Sequence, residues 1–147
     1  MKVLIKDVKI GAKYEGKIYD FFILGQLKSG LQIRIFDLFG YDLRQYINLK
    51  VNCSIQAIII ENINNNININ NPFVKGIFVQ QISIPLSWIK INSEIRDSNW
   101  YGVQNNDGIY FINPSDLQNL NLKKGEIVEF NVGRFDLLAW HPINEKL

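Results

Sequence analysis

The sequence has one cysteine, Cys53, and one histidine, His141. A lone thiol forms no internal disulfide, and a cysteine-based zinc site needs more ligands. This fits a reducing, cytoplasmic setting. His141, in "AWHPI", has no nucleophile or orienting carboxylate at a recognisable spacing, so it does not read as a general base. No His/Glu/Asp cluster has metal-ligand spacing, and no glycine-rich phosphate loop precedes a helix. The expectation is a binding protein rather than an enzyme, with no catalytic residues, cofactor or metal. No run approaches the ~20 apolar residues that span a bilayer. The opening "MKVLIKDVKIG" is broken by Lys2, Lys6, Asp7 and Lys9 and lacks the apolar core of a signal peptide. Net charge is scarce too: +2 over 147 residues does not by itself argue for a polyanion partner.

What the chain does have is apolar residues, 47% against 20% charged, enough to bury a core in one ordinary domain or two very small ones. Its charge is uneven. Residues 1–60 hold nine Lys/Arg and five Asp/Glu, a balance of +4; residues 61–147 hold seven and nine, a balance of −2. Attraction to phosphate is expected in the first half, although ordinary surface scatter gives the same asymmetry.

The dominant periodicity is two. "VLIKDVKI" at 3–10, "YEGKIYDFFIL" at 14–24, "LQIRIFD" at 31–37 and "VNCSIQAIII" at 51–60 read as strands, as do "VKGIFVQQI" at 74–82, "WIKI", "NWYGVQ", "GIYFI", "EIVEFNV" and "RFDLLAW". Cys53 alternates with Val51 and Ile55, which predicts a core position. Turns are marked by "KSG" at 28–30, "NNDG" at 105–108 and "KKG" at 123–125. Short helical turns are predicted near 41–47 and 114–120, the second capped by Ser115 or Asp116. Many short strands with two brief helical turns predict an all-β fold of small barrels or a sandwich. The halves share an order: strand, strand, Asp-Leu in a short turn, Leu-Lys, long strand. Such an order predicts an internal duplication.

Residues 74–142 carry "KGIFV" at 75–79, "WYGVQ" at 100–104, "DGIYFINPSDL" at 107–117, "LKKGEIVEFNV" at 122–132 and "LLAWHPI" at 137–143. In this order the segments resemble the five strands of a cold-shock-type OB domain, a small β-barrel. The resemblance implies stacking of single-stranded bases on outward aromatics, here Tyr101 and Tyr110, with Lys75 near phosphate. The sequence departs from the family pattern elsewhere. Val103 stands at the second aromatic, Ile112 at the histidine, Ser98 or Asn99 at a lysine, and Gln80 at the first-strand tryptophan. With the repeat, the resemblance predicts two small OB-like β-barrels in tandem, packed together: a more degenerate unit at 1–71 and a cold-shock-like unit at 72–147. The run "ENINNNININNP" at 61–72 would then turn through its asparagines, supply a fifth strand through Ile67 and Ile69, and end at Pro72.

Period two over 14–22 puts Lys17, Tyr19 and Phe21 on one face, and over 31–37 puts Gln32, Arg34 and Phe36 on the outer face. Side by side, these strands would interleave aromatics with cations, as sequence-tolerant single-strand binding requires. A face packed on both sides, with Phe21 and Phe36 buried, would carry the same pattern. The first functional expectation is therefore single-stranded RNA or DNA binding, with Tyr19, Phe21, Phe36, Tyr101 and Tyr110 stacking and Lys17, Arg34, Arg44 and Lys75 meeting phosphates. The alternative is a protein partner, as for an immunity, inhibitor or adaptor protein, favoured by the near-neutral charge and many aromatics. No membrane partner is expected.

Overall fold

The computed structural model describes residues 1–60, 73–85, 88, 99–117 and 120–143. Its strands, in chain order, are β1 (Lys2–Ile10), β2 (Lys13–Tyr14), β3 (Lys17–Ile18), β4 (Phe21–Gln26), β5 (Gln32–Asp37), β6 (Lys50–Ile59), β7 (Phe73–Ile82), β8 (Trp100–Asn105), β9 (Gly108–Ile112) and β10 (Ile127–Pro142). Short 3-10 turns occupy Arg44–Tyr46 and Pro114–Leu117. The fold is all-β. Asn113, rather than Ser115 or Asp116, caps the second turn, its Oδ1 accepting from the Ser115 N–H at 3.0 Å. Among the described residues no helix is long and apolar enough to cross a membrane.

Eight of these strands form one sheet in the order β1-β4-β5-β10-β6-β9-β8-β7, with further pairings β1–β6 and β10–β7. Those two pairings close two circuits that share β6 and β10. The first runs β1-β4-β5-β10-β6 and returns to β1; the second runs β7-β8-β9-β6-β10 and returns to β7. The circuits mirror each other. In the first, β5 runs parallel to β10 with Ile35 opposite Phe135; in the second, β9 runs parallel to β6 with Tyr110 opposite Ile55. Each half thus lends a long strand to the other, and one core runs through both. It joins Val3, Ile23 and Ile35 to Val74, Phe78 and Val103 through Cys53, Ile55 and Leu137.

The fifth place in the first circuit is held by β10. The strand expected at Ile67 and Ile69, the boundary at Pro72 and most of "WIKI" lie outside the described residues. Two strand readings change. "EIVEFNV" and "RFDLLAW" are one sixteen-residue strand, because Gly133 marks a bulge rather than a break. "YEGKIYDFFIL" is two pieces: β2 and β3 form a hairpin tip, and β4 begins at Phe21. Glu15 and Gly16 make that tip with φ of 50° and 79°. Two positive φ values in a two-residue loop match the twist of the flanking strands.

Candidate nucleic-acid interface

β4 and β5 are antiparallel, with Phe22 opposite Phe36, Leu24 opposite Arg34 and Gln26 opposite Gln32. Ile23, Ile33 and Ile35 are buried between these positions, so the named pairs stand on the outer face. The Phe22 and Phe36 rings meet at 5.1 Å between centroids. The Arg34 guanidinium lies 4.8 Å from the Phe22 centroid, reaching it diagonally across the pair.

The neighbouring strand adds a second cation. Before Gly133, Val128 and Val132 of β10 face the core; after it, Phe135 and Leu137 do. The bulge between Val132 and Arg134 therefore changes which residues face inward and turns Arg134 and Asp136 to the outer side. Arg134 sits 5.0 Å over the Phe36 ring, completing a ladder of Arg134, Phe36, Phe22 and Arg34. A fork of hydrogen bonds to Asp136, from Nε at 2.6 Å and NH2 at 2.9 Å, holds Arg134 in place. Asp136 is buried while the Arg134 side chain is 53% exposed, so the fork orients the cation and leaves its plane open.

On the other flank, Lys9 of β1 is opposite Phe22 and Asp7 is opposite Leu24. The face thus carries Lys9, Arg34 and Arg134 against Asp7 and Asp136, a net of +1. Stacking surface is ample and charge is modest. Beyond β1 and β4 the hairpin continues into β2 and β3, where Tyr14 and Lys17 pair across the strands and Lys17 Nζ lies 5.1 Å from the Tyr19 centroid. Tyr14 is 66% exposed and Tyr19 46%. Ala12 N–H donates to Asp20 Oδ1 at 2.6 Å and Tyr19 N–H to the Ala12 carbonyl at 2.9 Å, which tie the arm's base.

The expected site residues therefore divide. Arg34 and Phe36 stand together on the outer face, and Lys17 and Tyr19 lie on the hairpin arm. Phe21 does not face out: it is 2% exposed, because the true register of β4 begins after the hairpin and Phe22 takes the outer position. Arg44 lies over the inward Phe21 ring at 5.1 Å and is forked onto Asp42, away from the ladder. Lys75 is on β7, opposite Glu129.

Tyr101 and Tyr110 do not form an outward platform. Tyr110 is 2% exposed and packs on Phe135, and burial, with the Asp107 charge second, pushes its phenol well above the ordinary value. Tyr101 turns to the same side and meets Phe78 edge-on at 5.3 Å. The opposite face of β8 and β9, with Trp100 and Phe111, is a second buried cluster with Ile84, Leu138 and Ala139, flanked by Phe39 and Trp88. A stacking face in the second circuit is therefore covered.

Sequence reasoning missed Phe22, Arg134 and Lys9. Lys17, Tyr19 and Phe21 all follow the Glu15-Gly16 turn, and the phase is lost at Tyr19 and Asp20, between β3 and β4; the bulge at Gly133 is what aims Arg134. Among the described residues no group of three His, Cys, Asp or Glu side chains is placed to hold a metal ion. No protein-family model matches the chain, and comparison with curated proteins and with solved structures gives no match.

Proposed function

We propose that the protein binds single-stranded nucleic acid across the outer face of β4, β5 and β10 and along the β2–β3 arm. The observation that carries this reading is the ladder of alternating cations and rings, Arg34, Phe22, Phe36 and Arg134, on an open sheet face. Rings stack on bases of any sequence and cations meet the backbone between them. The first circuit, with its parallel β5–β10 pairing, supports an OB-like reading in which β1, β4, β5, β6 and β10 are the first to fifth strands. β4 and β5 then take the places of strands two and three, and the hairpin arm is the loop between strands one and two, the regions through which OB folds hold oligonucleotides. The likeness of residues 74–142 to cold-shock domains enters this reading through strand order, while the binding face moves to the first half.

Fluorescence anisotropy with labelled oligo-dT and oligo-U at two salt concentrations tests it. With about three phosphates met by Lys9, Arg34 and Lys17, the logarithm of affinity falls against that of salt with a slope of about −2. Absence of binding at low salt defeats the reading.

A second reading has its own observation. Ile10, Tyr14, Tyr19 and Leu24 are exposed on the same hairpin, and the ladder face is close to neutral. A protein partner would bury these side chains as an aromatic and aliphatic patch. Salt-insensitive capture of a host protein, without oligonucleotide binding, would favour it.

A further inference from the structure

A different part of the first circuit gathers charge without rings. β6, β1 and β4 lie side by side, and Leu4 of β1 is opposite Gln26 on one flank and Lys50 on the other. Val3 and Ile5 point into the core, so Leu4 and Lys2 look outward. Past the end of β4 the chain turns, with Gly30 N–H donating to the Leu27 carbonyl at 2.9 Å, and the turn brings Lys28 to the same place. The result is a pocket of about 550 Å³ lined by Lys2, Leu4, Gln26, Leu27, Lys28 and Lys50. This is the size range of small-molecule sites.

Its chemistry is one-sided. Three ammonium groups and a carboxamide surround two leucine side chains, and no carboxylate is in the lining. Among the described residues none of the three lysines has an ion-pair partner. Asp107, which reaches the turn, has both oxygens engaged, by the Ser29 N–H at 2.7 Å and the Ser29 hydroxyl at 2.8 Å. Like charges converging on a concave surface repel one another and focus a positive potential that an anion relieves. Three ammonium groups drawn from two strands and a turn can each meet a different oxygen as a point charge, which suits a chain of phosphates.

We propose that this pocket binds an oligophosphate group, as carried by a nucleoside di- or triphosphate or by the phosphorylated 5′ end of a strand. The proposal does not depend on base stacking at the ladder, since pyrophosphate alone carries the chemistry. Calorimetric titration of the folded protein with pyrophosphate, ATP and adenosine at low salt tests it, with amide NMR shifts to locate the site. Pyrophosphate and ATP are expected to bind, adenosine is not, and the Leu4 and Gln26 amides should shift. Lys28→Gln and Lys50→Gln, both at exposed positions, should each weaken pyrophosphate by about tenfold. No binding of pyrophosphate, or binding that neither substitution weakens, overturns the proposal. Comparison of 5′-triphosphate and 5′-hydroxyl oligonucleotides separates the two sources. A preference for the phosphorylated end that Lys50→Gln removes supports the pocket as a strand-end site. Equal oligonucleotide affinities with ATP binding retained support it as a free-nucleotide site.

Discussion

Tyr110 of β9 and Phe135 of β10 pack ring to ring at 5.7 Å in the shared core, each in parallel register with an isoleucine of the first half, Ile55 and Ile35. By topology Tyr110 holds in the second circuit the place that Ile35 holds in the first, and Ile55 the place that Phe135 holds. Tyr110→Ala should cost about 3 to 5 kcal/mol of stability, the range for a large buried aromatic. The folded fraction should bind an oligonucleotide as the parent does. Urea denaturation beside anisotropy measures both. A loss of affinity with stability preserved would restore Tyr110 to the surface.

Because β6 and β10 belong to both circuits, neither half is complete alone. A fragment of residues 1–71 lacks β10 and leaves one edge of β5 and the long edge of β6 unpaired, with Ile35, Ile55 and Ala57 uncovered. Exposed edges and core residues of that kind do not sustain a fold. The fragment is expected to give a collapsed, poorly dispersed amide spectrum, and the whole chain to unfold in one transition. A dispersed spectrum from the fragment would show two independent barrels instead.

Much of this was legible in the residues. Alternation placed β9 at Gly108–Ile112 and set the faces of β5, with Ile33 and Ile35 inward and Arg34 and Phe36 outward. The repeated Asp-Leu turn was real: Leu43 and Leu117, one in each half, are both buried beside a 3-10 turn. What alternation could not carry was phase through irregular backbone. Tyr19 and Asp20 interrupt the strand between β3 and β4, Gly133 marks a bulge, and each irregularity reverses which residues face out. Nor does a local pattern contain the exchange of β6 and β10, since pairing partners such as Ile35 and Phe135 are set by closure of the whole sheet.

Asp37 closes β5 with its carboxylate buried, accepting from the Tyr41 N–H at 3.0 Å and the Asp42 N–H at 2.9 Å. Burial raises its pKa against the pull of those donors. Between the unfolded and the raised folded value the native state holds more protons, so this group's stabilisation is complete below the unfolded pKa and is lost as pH rises through the folded one. Asp37→Asn removes that dependence. The stability difference, parent minus variant, should therefore grow as pH is lowered from about 7 towards about 4. Urea midpoints of both proteins across that range test the sign; a constant or shrinking difference contradicts it.

Cys53 lies in the core of β6 with its backbone N–H bonded to the Met1 carbonyl at 2.8 Å. Burial pushes its thiol up to about 12. A thiol attacks as the thiolate, so the native protein should resist alkylation at neutral pH. Labelling should follow unfolding in urea. Rapid modification in the native state, read by mass spectrometry, would mean that β6 opens locally.

The ladder gives the most direct test of the binding face. Phe22 and Phe36 are half-buried on the outer side, so replacing either by Ala should change stability by about 1 kcal/mol or less. Each should weaken single-strand binding by about 1 to 3 kcal/mol, the worth of one base stacked on one ring. Arg34→Ala should lower affinity and flatten the salt dependence, because it removes a phosphate contact as well as the cation over Phe22. Arg134→Ala should weaken binding and also destabilise the protein, because it leaves the buried Asp136 carboxylate without its fork. Anisotropy and thermal melts on the four variants separate these effects. If Phe22→Ala and Phe36→Ala bind as the parent does, nucleic acid does not lie on this face.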